Sequence, residues 1–289
     1  MKFRILTAEE LNEWYMFKQF GGELMPEKKL CIYRYTDFCH LTGAIYHYNY
    51  YKEGSNHMDD IRVAPNFWLD SDETTIYCPW SETNEERGDK GSFVSAYTQT
   101  SSRLSNDPHI GVRPILTISE ALENGAVMLK NGNILYGEYL QDIVEDEFAS
   151  HCTDVLNSGK QVKTGKKYTV NENTYDEYLI DGRKVSLVKR EIDDDQCNMR
   201  FSKKHFYNQR EWVEAKPVEW IPINDSEAIS MHVLFPSIYN ESHCIFEESV
   251  LYRNINKIFA SELIPSNGAS LENIDAKNIS TKILKKLSY

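Results

Sequence analysis

The sequence predicts an α+β protein of mixed antiparallel sheets with flanking helices, arranged as two modules, residues 1–125 and 126–289. Three observations carry that expectation. The chain has 289 residues, near the length at which one core stops growing and a second begins. Short runs rich in β-branched and aromatic residues recur between turn signals, as antiparallel strands do. A few longer segments instead carry apolar residues at helical spacing behind recognisable caps.

The first element is a helix over roughly residues 8–20. Thr7 and Glu10 have capping-box spacing, Leu6 and Leu11 flank them as a hydrophobic staple, and Gly21-Gly22 stops the helix. The aromatic stretch Tyr35–Tyr51 carries no clear assignment. Short strands are expected at Ile61–Val63, Phe67–Leu69, Thr75–Cys78, Phe93–Tyr97 and Ile115–Ile118. The polar run Ser81–Gly91 reads as a loop, and Ser119–Gly125 as a short helix or turn that closes the first module.

The second module opens with a strand at Asn133–Glu138. A helix over Leu140–Asn157 follows, with Ile143, Val144, Phe148, Cys152 and Val155 on one stripe and Gly159 just past its end. Tyr175–Ile180 and Arg183–Val188 bracket Asp181-Gly182, the preferred dipeptide of a two-residue hairpin. Asp193-Asp194-Asp195 reads as a solvated loop. Strands are expected over Trp212–Ile223 and Ala228–Phe235. A helix over Ser249–Leu263 presents Leu251, Ile255, Ile258 and Phe259, and Pro265 ends it. The segment after Ser270 reads as one more amphipathic helix through Ile274, Ile279, Ile283 and Leu284.

Composition narrows the function classes. A formal charge of −12 opposes direct nucleic-acid binding, which needs clustered Lys and Arg, and also opposes anionic membrane surfaces. It fits a protein kept soluble by its charge, or one that meets a basic partner. No apolar run is long enough to span a bilayer, and Met1–Thr7 turns polar at once, so no secretory signal is expected. Cys31, Cys39, Cys78, Cys152, Cys197 and Cys244 form no C-x-x-C pair, which fits reduced thiols in a cytoplasmic compartment. The 18 Tyr, 12 Phe and 5 Trp supply either a Tyr-rich β core or an aromatic binding surface.

Several segments resemble a bacterial domain of unknown function. In the first module these are Arg4–Leu11, Leu41-Thr42-Gly43-Ala44, Phe67-Trp68-Leu69-Asp70-Ser71 and Gly111-Val112-Arg113-Pro114-Ile115-Leu116, which are similar to its W-L-R-S … G-V-R-P-x-L pattern. In the second, Tyr136–Gln141 resembles its F-G-x-Y-P-Q opening, Trp212–Trp220 its W-x-x-V-x-P-I-x-W strand and Phe246–Asn256 its W-x-x-S-x-L-R-x-x-L-N helix. Related chains often carry these pieces in the opposite order. More loosely, the first module resembles formylglycine-generating-enzyme-like, C-type-lectin-like modules. The resemblance implies a C-type-lectin-like fold in at least the first module and implies no activity. Asp70 stands where the pattern has Arg, so no role of that Arg carries over.

Five residues are candidate ligand or partner contacts: Trp68, Asp70, Asp72, Trp80 and Arg113. Asp70, Asp72 and Glu73 could offer alternate oxygens to calcium or form a solvated loop. Trp68 and Trp80 could stack a sugar or partner, with Trp68 the better core residue and Trp80 the better exposed one. Arg113 could pair with a buried carboxylate and pin the end of a sheet, or meet a ligand carboxylate. Cys39-His40, His47, His57 and Asp59-Asp60 match no metal-ligand spacing, and His232, His243 and Cys244 match none either. No thiol pair sits where the copper-binding oxidases have theirs. There is no G-x-S-x-G, P-loop or G-x-G-x-x-G.

The expected function is therefore a non-enzymatic binding or interaction protein that contacts a protein partner through loops, in one version a mobile-element-encoded inhibitor or adaptor of bacterial or phage setting. A calcium-dependent carbohydrate or small-ligand module, and an enzyme with an inter-module site, stand as alternatives. No cofactor, no nucleic acid and no membrane are expected, and the oligomeric state is open.

Overall fold

The computed structural model describes residues 1–7, 10, 35–44, 47–49, 62–64, 67–70, 75–77, 99–100, 108–191, 209–240 and 244–265. Its centre is the 13-residue strand β13 (Arg210–Pro222). One edge of β13 pairs first with β12 (Arg183–Lys189), over residues 210–214, and then with β14 (Glu227–Ser230), over residues 220–222. The other edge pairs with β9 (Ile134–Ile143). The neighbours follow from this hub: β10 (Val162–Val170) and β11 (Asn173–Ile180) extend beyond β12, β7 (Ile115–Thr117) lies beyond β14, and β8 (Val127–Met128) forms a hairpin with β9. All these pairings are antiparallel.

Pro217 stands inside this central strand, where a missing N–H should break a ladder. It lies between the reach of β12 and that of β14, and the β9 register shifts beside it. The Gln141 amide donates 3.0 Å bonds to the carbonyls of both Lys216 and Pro217, which supplies what the ladder omits there. The expected hairpin is present: Asp181 and Gly182 adopt φ 49° and 78°, the primed turn that matches strand twist.

A second sheet has the order β15-β6-β3-β4-β5, from Phe235–Pro236, Gly111–Val112, Phe67–Leu69, Thr75–Tyr77 and Gln99–Thr100. Strands β1 (His47–Asn49) and β2 (Arg62–Ala64) pair separately. The chain is thus mixed α+β with antiparallel sheets and few helices, and the β3–β6 contact is parallel.

The main core joins residues from both ends of the chain. Phe3 stacks on Trp220 with centroids 5.9 Å apart and meets Phe259 edge-on at 5.4 Å. Phe259 also contacts Tyr139 at 5.1 Å and Phe235 at 5.2 Å, and Tyr139 passes the packing on to Phe38 at 5.6 Å. Trp68, Val112 and Leu116 belong to the same buried cluster as Val213, Trp220 and Leu251. The expected boundary at residue 125 therefore does not divide the core. β7 pairs with β14 and β6 with β15, so strands from either side of it complete one another's sheets.

Helix α1 (Asp37–Leu41) answers the aromatic stretch left unassigned. Its cap Thr36 accepts from Cys39 N, and Phe38, Cys39 and Leu41 are buried. Helix α2 (Ile118–Glu123) matches the expected closing turn of the first segment. Helix α3 (Asp146–Asn157) starts six residues later than the apolar spacing suggests. Leu140 and Ile143 stay in β9, paired with Ala215 and Val213, and Val144 still donates to the Trp212 carbonyl. Its exit is as expected: Gly159 has φ 69°, and the amides of Gly159 and Lys160 reach the carbonyls of Leu156 and Val155.

The expected strand Ala228–Phe235 is interrupted, β14 ending at Ser230 and β15 starting at Phe235. β10 is a strand with no forecast. The Thr7–Glu10 capping box forms in both directions, at 2.9 and 3.0 Å. The helix it opens, the strand at Phe93–Tyr97, the loops Ser81–Gly91 and Asp193–Asp195, and the segment after Ser270 lie outside the described residues.

The C-terminal helix runs as α4 (Val250–Arg253), a π-helical stretch (Asn254–Phe259) and α5 (Ala260–Glu262). Ser249 caps it through Tyr252 N at 2.9 Å. The π stretch aims the Asn256 amide at Phe3, accepting from its N–H at 2.7 Å and donating to its carbonyl at 2.9 Å. The helix ends against Gly137, whose φ is 72°, and an added Cβ there would sit 2.3 Å from the Leu263 side chain and 2.8 Å from its carbonyl. Gly182, also at positive φ, has nothing within 4 Å. Gly137→Ala should therefore cost about 3 kcal/mol or more, strain plus displacement of the helix end, while Gly182→Ala costs only about 1 kcal/mol. Urea denaturation of the two variants checks the ordering.

Candidate functional site

Along the inner face of β10, Thr164, Lys166 and Tyr168 point into a cluster of ionisable groups at one end of the main core. A bulge between Lys163 and Lys167, with Gly165 at φ 88°, sets this alternation. Glu177 of β11 is fully buried. One of its oxygens accepts from the Thr164 hydroxyl at 2.7 Å and the other from the Tyr168 hydroxyl at 2.5 Å. Lys166 donates to the Glu138 carbonyl at 3.1 Å, and its ammonium lies 4.7 Å from the centre of the Tyr168 ring. Lys184 of β12 pairs with the Glu138 carboxylate at 2.5 Å.

Glu262, the last residue of α5, closes the cluster from above. Its Oε1 accepts the Thr169 N–H of β10 at 2.6 Å, and the Tyr139 side chain acts on the same carboxyl group. Its Oε2 is buried with no hydrogen-bond partner among the described residues. Burial pushes the Glu262 carboxyl up to about 8, against the pull of Thr169, Lys166 and Tyr139. Burial likewise brings Lys166 down to about 8, although Glu177 and Glu138 favour its charged form. Tyr139 and Tyr168 are driven well above the usual phenol range, again chiefly by burial.

Burial in the cluster therefore favours the neutral form of both an acid and a base. The cluster also ties five elements together, so it contributes to the structure whatever else it does.

The residues marked in the sequence fare differently. Trp68 is fully buried, donates from its indole N–H to the Ser237 carbonyl at 2.6 Å and meets Tyr239 edge-on at 5.5 Å. It is a core residue with no face free for a ligand. Arg113 is also fully buried, donates to the carbonyls of Ser230 and Met231 and lies over the Phe67 ring. Through these main-chain carbonyls it holds the place where β14 gives way to β15, and its burial corrects its use as a ligand contact. Asp70 is half-buried, and its N–H bonds the Leu6 carbonyl at 2.8 Å. Asp72 and Trp80 lie outside the described residues. Cys39 is buried, and His40 Nδ1 is 3.0 Å from the Ala44 carbonyl. Among the described residues no group of three His, Cys, Asp or Glu is placed to hold a metal. No helix among them is long and apolar enough to cross a membrane.

A separate groove of about 340 Å³ lies on the outer face of the sheet past the end of α3, lined by Leu156, Tyr178, Leu187, Asp176, Lys189 and Arg210 among others. All of its lining comes from residues 156–210, so it does not join the two expected modules.

No family model matches the chain, and no curated protein or solved structure matches it.

The Glu262 cluster escaped sequence reading, yet one signal was present. Leu251, Ile255, Phe259 and Glu262 follow one helical stripe, and a carboxylate on the apolar stripe of a helix marks a buried acid. The sign of its effect on stability is fixed. Its folded pKa lies above the unfolded 4.5, so the folded state holds more protons between about pH 4.5 and 8, and stability drops as pH rises through that window. Urea midpoints measured across it should decline for the natural chain and stay flatter for Glu262→Gln.

Proposed function

We propose that this protein is a binding or interaction protein rather than an enzyme, and that it grips a protein partner through exposed turns carried on a rigid α+β scaffold. The observation that supports the reading is the turn joining α2 to the β8–β9 hairpin. Leu122 is 42%, Val127 38% and Met128 57% exposed, although each is a residue type that normally seeks burial. The two residues of β8, which among the described residues pairs with β9 alone, are both exposed. Ala121 behind them is fully buried, and its carbonyl holds Ala126 N at 2.9 Å, so the backbone that presents them is fixed. Exposed apolar side chains on a firm backbone, with the exposed charges of Glu123 and Lys130 close by in the chain, have the make-up of an interface core with a polar rim.

The net charge of −12 favours a basic partner, steered in by the field of the whole molecule. Three finer elements of the reading rest on the sequence: a C-type-lectin-like fold in the first segment on its motif resemblance, a cytoplasmic setting on its unpaired cysteines, and a mobile-element-encoded inhibitor or adaptor as the concrete form.

The test uses the full chain immobilised and exposed to bacterial extract, beside a Leu122→Asp/Met128→Asp variant with an unchanged melting temperature. A partner held by the natural chain should bind the variant at least about tenfold more weakly, as loss of central apolar contacts does. Its capture should also weaken as salt rises. Equal retention by both chains would rule this turn out as the interface.

A further inference from the structure

Glu262 sits where the C-terminal helix meets two strands, and the contacts there are few and specific. Its Oε1 takes the Thr169 N–H of β10, an edge strand of the large sheet. One residue on, the Leu263 carbonyl takes the Glu138 N–H of β9 at 2.8 Å. Leu263 fills the space left by Gly137, so this seat accepts the helix end in one position only. The next residue, Ile264, is 61% exposed. The last turn is thus held down by one carboxyl group, one carbonyl and one apolar side chain.

We propose that Glu262 is a proton-operated latch: with its carboxyl neutral the 260–263 turn stays seated on β9 and β10, and ionisation unseats it. The groups that face the carboxyl define its field. Tyr139 of β9 and Lys166 of β10 act on it directly; Glu138 of β9, Tyr168 of β10, Glu177 of β11 and Lys184 of β12 surround Lys166, and Cys39 of α1 and Tyr175 of β11 stand by Tyr139. Both Glu177 oxygens accept hydroxyl protons, which is the pattern of a carboxylate, and Lys184 and Glu138 form an ion pair. With Glu262 neutral and Lys166 charged, the cluster balances to zero. Loss of the Glu262 proton puts a negative charge on a buried carboxyl group whose Oε2 has no donor among the described residues, and burial also disfavours the balancing charge on Lys166. The cluster then carries net negative charge, and the helix end that bears Glu262 is the segment free to leave. Unseating bares the Thr169 and Glu138 amides and opens the Lys166 recess, turning a covered strand edge into an exposed one.

Residue-resolved amide exchange on the full chain tests the latch, with each rate divided by the unstructured rate at the same pH. One pH unit beyond the titration point shifts the seated fraction about tenfold, so protection at Thr169 and Glu138 should fall by about that factor between roughly pH 6.5 and 9. Protection at Val213, in the middle of β13, should hold. Glu262→Gln should keep Thr169 and Glu138 protected at both values. Lys166→Met, which removes the cation that favours ionised Glu262, should move the loss to higher pH and serves also if the glutamine variant fails to fold. Constant protection in the natural chain, or the same loss in Glu262→Gln, would overturn the proposal.

Discussion

The whole structure depends on one aromatic contact set, the packing of Phe259 against Phe3, Tyr139 and Phe235. Phe3 lies near the start of the chain, Tyr139 in β9 and Phe235 in β15, so a single ring closes a loop of more than two hundred residues. Phe3 then stacks on Trp220 in the central strand, which carries the packing into the ladder. Truncating a ring of this kind typically costs about 3–5 kcal/mol, a large share of the stability of a domain. The backbone supports the same joint. Asn256 bonds both polar groups of Phe3, and this is possible because the helix widens into a π turn and rotates that amide toward the N-terminal segment.

Where the aromatic packing ends, the ionisable cluster begins. Burying three carboxyls and two ammonium groups is tolerable only with near-complete pairing. Glu177, Glu138 and Lys184 have it. Glu262 and Lys166 are only incompletely paired, and burial moves both toward their neutral forms. A fold optimised for stability alone would place an apolar residue at the end of this helix. The acid held there costs stability above its titration range, and such departures gather at positions that serve something besides packing.

What could be read in the sequence was what short-range rules govern. The Thr7–Glu10 box, the Asp181-Gly182 turn and the Gly159 exit each depend on a few neighbouring residues, and each formed as expected. What could not be read was set at long range. Leu140 has helical spacing with Val144 and Phe148, yet pairing with β13 keeps it extended. β10 reads as a polar run, Val162-Lys163-Thr164-Gly165-Lys166-Lys167, because its inner face meets ionisable groups instead of apolar ones. A boundary at residue 125 followed from length, but the strands that complete each sheet come from both sides of it. The candidate residues suffered likewise. Trp68 and Arg113 were marked for their chemistry, and only their burial shows that they serve the core and the β14–β15 break.

One core, closed by Phe259, spans both halves of the chain. Amide exchange followed through a urea titration of the full chain, for the natural protein and for Phe259→Ala, tests this most directly. Amides in β3 and β6, before residue 125, and amides in β9 and β13, after it, should lose protection in one shared transition that moves to lower urea in the variant. Two separate transitions, or a variant that weakens only the segment after residue 125, would contradict a shared core.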